Sequence, residues 1–341
     1  MDNLFKKVAC FTDIHFGLKA NSIQHNQDCE DFIDWFIDTA KAEGCETGIF
    51  LGDFHHNRST LNIVTMNYSV RCLEKLGNAF DNFYFFPGNH DLYYKDKRDI
   101  HSIEFGKYIP GITIVDKPMT IGNVTLCPWL VHDEWKTIGK KGAKYIFGHF
   151  ELPTFFMNAM VQMPDHGELQ INNFSKYELG FSGHFHKRQS KGNIHYIGNT
   201  FPHNFADVDD EDRGMMVLEW GDQPKYFSWP NQPTYKILTL SQLISIDESG
   251  NKNNIIKQNQ HLKVQLDIEI SFEEAGFIKD EFIKKYNLRE LILIPPKENV
   301  DATAVEIQSF QSIDTIVCTQ LDSIDSDKFN KNILISIYNS L

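Results

Sequence analysis

No apolar run in this chain approaches the ~20 residues needed to span a bilayer, and the opening Met-Asp-Asn-Leu-Phe-Lys-Lys contains no signal-like hydrophobic stretch. The sequence also has no C-x-x-C pair. Its six cysteines (Cys10, Cys29, Cys45, Cys72, Cys127 and Cys318) are scattered, which excludes a disulfide framework or a zinc ribbon. Reduced thiols in a cytoplasm are expected, with Cys10 and Cys127 acting as small hydrophobes in apolar runs. The G-x-x-x-x-G-K-S/T phosphate loop is missing, so the chain is not expected to be an ATPase. Positive charge is scarce: 33 Lys and Arg stand against 46 Asp and Glu, a net charge of −13. That balance excludes a protein that grips nucleic acid with its whole surface, because such affinity comes from cations neutralising phosphates.

What is present is ordinary globular material, 41% hydrophobic and 23% charged, with 341 residues to fill one large domain and a smaller one. Short apolar runs at 7–12, 48–51, 82–86, 124–128, 143–147, 179–182, 194–197 and 215–220 read as strands. They alternate with amphipathic helices at 28–44 and 63–76, the pattern of an α/β layer fold. Two prolines within 229–233 mark a linker. Beyond it lie an exposed polar loop at 248–260, a strand at 261–270, a helix opened by the capping box Ser271…Glu274 and a strand at 291–294. These make one β-α-β unit. A terminal amphipathic helix over 326–341 is too short to stand alone and wants a partner. The expected domains are 1–230, 231–298 and a tail at 299–341.

Five of the strand ends carry metal-ligand residue types: Asp13-Ile14-His15, Gly52-Asp53, Gly88-Asn89-His90-Asp91, Gly148-His149 and Gly183-His184-Phe185-His186. Side chains two apart in extended chain point the same way, so each D-x-H or H-x-H pair can reach one site. Loops at the carboxyl ends of strands are where open α/β sheets build sites. Each fragment alone could be a turn or a solvated pair; their joint occurrence in this order is the signal. Seven candidate ligands (Asp13, His15, Asp53, Asn89, His149, His184 and His186) are too many for one ion. They suffice for two divalent ions sharing a carboxylate, about 3.5–4 Å apart. The mixed carboxylate, imidazole and amide set suits manganese, with magnesium, zinc or iron as alternatives. Such a pair activates water to attack phosphorus, and His90 is placed to protonate the leaving group.

These motifs resemble those of the calcineurin-like metallophosphoesterase superfamily over roughly residues 5–220. The resemblance implies a four-layer αββα sandwich, with Asp13, His15, Asp53 and His186 on one metal. Asp53, Asn89, His149 and His184 would hold the other, Asp53 bridging and His90 catalytic. Phosphoprotein phosphatases have a second aspartate where this chain has His56. A histidine there is similar to the SbcD-type repair nucleases, in which it helps position the scissile phosphate. The length and C-terminal extension are most similar to the small recombination-endonuclease subunits of T-even-type phages. That likeness implies a small α+β DNA-capping domain, a tail for an SbcC-type SMC-like ATPase, a homodimer, and host bacterial cytoplasm as the location. Arg58, Lys95, Lys97, Arg98, Lys187 and Arg188 follow the motifs and are candidate DNA contacts. The other histidines (His25, His55, His101, His132, His166, His195, His203 and His261) have no ligand spacing and are read as structural. A manganese-dependent DNA endo/exonuclease subunit is thus the leading expectation. A small-molecule phosphatase or phosphodiesterase and a catalytically silent scaffold are the alternatives.

Overall fold

The computed structural model describes residues 3–140, 142–157 and 161–295. The tail expected at 299–341, with its helix at 326–341, lies outside them. No described helix is long and apolar enough to cross a membrane.

Two six-stranded sheets make the body of the molecule. In the first, β1 (Lys7–Phe11), β2 (Thr47–Phe50), β3 (Asn82–Phe85) and β4 (Ile112–Ile114) run parallel in that order. In the second, β5 (Met119–Ile121) forms one edge, followed by β6 (Val124–Cys127), β7 (Tyr145–His149) and β8 (Leu179–Gly183). The other edge, β9 (Gln189–Lys191), hairpins onto β10 (Ile194–Tyr196), which lies parallel to β8. The first sheet is closed by β11 (Gly214–Glu219), antiparallel to β1, and β12 (Lys225–Ser228) beyond it. This mixed, parallel-rich α/β sandwich is the expected fold class.

Alternation along the strands assigns each residue to a layer. On β1, Val8 and Cys10 face the second sheet, where they meet Leu126, Phe147 and Phe181 in one buried cluster. Ala9 and Phe11 face the opposite way, into a helix-covered core. Phe11 packs 4.6 Å from Phe36 and 5.6 Å from Phe32, centroid to centroid. Both belong to α1 (Ile23–Ala42), which lies beside α2 (Ile63–Ala79). The first helix begins five residues before the expected start: Ser22 caps it by accepting from the His25 amide, and the polar first turn is turned inward. Asn26 there accepts from the Gly17 amide and donates to Thr65. The outer face of the second sheet is covered by short 3-10 turns, His132–Thr137 and Ile171–Phe174, and by loops.

After β12, Trp229 remains part of the first core, packed on Phe32 and Phe201. The segment that follows holds more than the expected β-α-β unit. Strand β13 (Thr234–Thr239) and helix α3 (Leu240–Glu248) precede β14 (Gln260–Gln265), α4 (Phe272–Tyr286) and β15 (Glu290–Ile294), and the three strands are parallel. Thr239 and Gln242 form a capping box at the head of α3, a signal present in the sequence but hidden behind the linker prolines. This sheet has its own apolar core around Leu243, Leu262 and Leu291. It meets the larger sheets through Arg289 on Asp28, Lys257 on Glu211 and the Tyr235 hydroxyl on the His203 carbonyl.

Candidate metal centre

The five motif loops leave the carboxyl ends of β1, β2, β3, β7 and β8 and converge. The first two are stitched together by backbone: the Asp13 amide donates to the Gly52 carbonyl and that of His15 to Asp53. Four ligand candidates sit in left-handed backbone, Asp13 and His15 at φ 52°, Asp53 at 62° and His184 at 86°. Such conformations cost non-glycine residues roughly 1–3 kcal/mol each and persist where the surroundings over-determine them. Glycines fill the tightest approaches. A Cβ on Gly88 would lie 2.3 Å from both the amide nitrogen and Oδ1 of Asp53, and one on Gly52 would lie 2.4 Å from His149 Nδ1.

Asp91, quoted in the third motif without a role, ties the loops together. It is fully buried and accepts from the amides of Asp53, Phe54, His55 and Gly88 at 2.9–3.1 Å. Burial, then the charge on Asp53, raises its carboxyl to about 6, against the pull of those amides.

The structure brings all seven sequence-derived ligands together. His15 Nε2 lies 3.7 Å from Asp53 Oδ2 and 4.0 Å from Asp13 Oδ1, and His186 Nε2 lies 3.9 Å from Asp13 Oδ1. On the other side of Asp53, His149 Nε2 is 3.5 Å from the same Oδ2 and 3.0 Å from Asn89 Oδ1. His184 Nδ1 is 2.9 Å from that amide oxygen. Asp53 thus touches both groups, where a bridging ligand belongs.

The donor chemistry fits cations. His149 Nδ1–H donates to the Leu51 carbonyl at 2.7 Å, so its neutral tautomer offers the Nε2 lone pair to the site. His184 Nε2 is held by Glu151 at 3.1 Å, leaving Nδ1 to face inward. Carboxylate, amide and imidazole lone pairs therefore aim at one another. His15 is 3% exposed, and neither ring nitrogen has a hydrogen-bond partner among the described residues. Protons answer the same field. Burial works against a charge on His149, but the Asp53 carboxylate beside it outweighs this and raises the imidazole to about 9. Burial would raise Asp53, yet His149 holds it well below the usual carboxylate range. Asp13, buried, rises to about 7.

Two further histidines flank the ligands. The His90 amide donates to Asp53 Oδ1 at 2.8 Å, and His90 Nδ1–H donates to the His56 carbonyl at 2.9 Å. The His56 ring stacks 5.4 Å from that of His90, and the His90 ring stands 4.9 Å from His15. His203, read from the sequence as structural, lies 5.5 Å from the His15 ring and 5.3 Å from the His186 ring. No spacing could have found it, because it comes from the crossover after β10 and follows no motif.

The six candidate DNA cations divide. Lys95 and Lys97 are exposed, and Lys187 and Arg58 are half-buried. Arg98 and Arg188 differ from the lysines in that other residues of the chain engage both guanidiniums. Arg98 pairs with Glu134 and donates to the Trp129 and Asp116 carbonyls. Arg188 pairs with Asp212, donates to the Ile197 carbonyl and lies over the Tyr226 ring.

Comparison with known proteins agrees with this geometry. Residues 6–188 match the family described as calcineurin-like phosphoesterase. Exonuclease subunit 1 of enterobacteria phage T4 is 28% identical over 238 residues, covering 67% of this chain and 69% of that protein.

Proposed function

Since this chain belongs to the calcineurin-like phosphoesterase family, a hydrolase family that works with divalent metal ions, we propose that its substrate is the phosphodiester backbone of DNA. The observation that carries the reading is the pairing of His56 with His90 beside the convergent ligands, in a chain similar to a phage exonuclease subunit. Asp13, His15, Asp53 and His186 would hold one ion, and Asp53, Asn89, His149 and His184 a second, manganese being the first choice. When bound, such a pair supplies an activated water and neutralises charge growing on the phosphoryl oxygens.

The chain's own residues do the rest. His90, with Nδ1–H committed to the His56 carbonyl, keeps its ring fixed and presents Nε2, the atom that can hold a proton for the departing 3′ or 5′ oxygen. His56, beside it, is suited to orient the scissile phosphate. Lys95, Lys97 and Lys187 supply cations near the motif loops, and the 231–298 segment would cap the DNA. The net charge of −13 implies weak DNA binding by the isolated chain, which fits a subunit that depends on an SbcC-type SMC-like ATPase. We assign that contact to residues 299–341 and expect a homodimer.

The acidic balance also favours a second reading, hydrolysis of small phosphoesters. A gel assay on duplex and single-stranded DNA with manganese, with and without the ATPase, separates the two. DNA shortening that the ATPase stimulates is expected. Cleavage of nucleotide phosphoesters with both DNAs left uncut would overturn the nuclease reading. Deleting residues after 325 should abolish ATPase binding; retained binding would remove the tail assignment.

A further inference from the structure

One imidazole at the metal centre belongs to none of the five motifs. His203 lies between β10 and β11, on the strap that crosses back to the first sheet, and is 2% exposed. Its ring stands against those of His15 and His186, and one nitrogen from each of the three lies within 4.8 Å of the others. Nε2 of His203 is buried without a hydrogen-bond partner among the described residues, as are both ring nitrogens of His15. Buried polar atoms left unpaired are uncommon and costly, and three imidazoles sharing one small space is the arrangement a cation resolves.

The strap is fixed on both sides of the ring. The His203 amide donates to Asp207 Oδ2 at 2.8 Å, and Asp207 in turn pairs with buried Arg213. The His203 carbonyl accepts from the Tyr235 hydroxyl at 2.8 Å. Phe201 and His25 line the far side of the ring at 5.2 and 5.6 Å. The backbone is anchored independently of the imidazole, so the point from which the ring projects is set by the fold, as preorganised sites require.

We propose that His203 is a third imidazole ligand of the first metal position, beside His15 and His186, and that it biases this position towards cobalt, zinc or iron over magnesium. Imidazole prefers those ions, whereas magnesium prefers oxygen donors. The inference rests on the reading that the chain holds two divalent cations.

The test is cobalt(II) titration of the full chain, followed by its visible absorption and by bound metal per chain, with magnesium titrated in parallel. The wild type should take up two cobalt ions. His203→Ala and His203→Gln should each weaken one of the two cobalt sites about tenfold or more and change the visible spectrum, while magnesium affinity moves little. Glutamine keeps a polar side chain of similar reach, so the measurement survives if the alanine variant does not fold. Cobalt titrations and spectra of folded variants that superimpose on the wild type would overturn the role of His203 alone. A wild type that takes up no cobalt would overturn the two-cation reading as well.

Discussion

Single side chains at this centre answer to protons before they answer to metal. Asp13, raised to about 7, and His149, raised to about 9, are both protonated in the metal-free chain at lower pH. A cation must displace those protons, so apparent metal affinity should climb as pH rises from about 7 to 9 and fall below it. Calorimetric titration in buffers of different ionisation enthalpy would register the released protons; an affinity flat across this range would contradict the assignment. His90 is proposed as a proton donor beside the candidate ligands and not as one of them. His90→Ala should therefore lower the turnover of phosphodiester hydrolysis about 10²–10⁴-fold while bound metal per chain stays unchanged. Loss of metal in that variant would make His90 a ligand and not a proton donor.

At the scale of elements, the site depends on two loops being clamped at the ends of β2 and β3. The clamp is Asp91, whose carboxylate receives four backbone amides. Removing it strands buried donors, each at a cost of roughly 1–3 kcal/mol. Asp91→Ala should accordingly lower the melting temperature and reduce metal uptake together, although Asp91 is not among the seven candidate ligands. A destabilised variant that still binds metal as tightly as the wild type would show that Asp53 and Asn89 hold their places without the clamp.

For the whole molecule, the distribution of charge decides what surface can meet DNA. Lys95 and Lys97 are exposed, the latter over the Tyr94 ring, whereas Arg98 and Arg188 pair with Glu134 and Asp212. Lys95→Ala and Lys97→Ala should weaken DNA binding without changing the melting temperature, each reducing the salt slope by about one. Arg98→Ala should instead destabilise the fold by roughly 1–3 kcal/mol. Fluorescence anisotropy against salt, alongside thermal melts, distinguishes the two behaviours. Equal effects of lysine and arginine substitutions on the salt slope would refute the division.

The sequence alone determined the strand-end motifs and the seven candidate ligands that they carry. All are local signals, written within a few residues of one another and repeated at each strand end. Tertiary structure decided the rest. It drew His203 to the site from a crossover with no motif, gave Asp91 its four amides, and turned Arg98 and Arg188 inward to partners 36 and 24 residues away. Local spacing fixes which way a side chain leaves its strand, but what it meets depends on segments that only packing brings near.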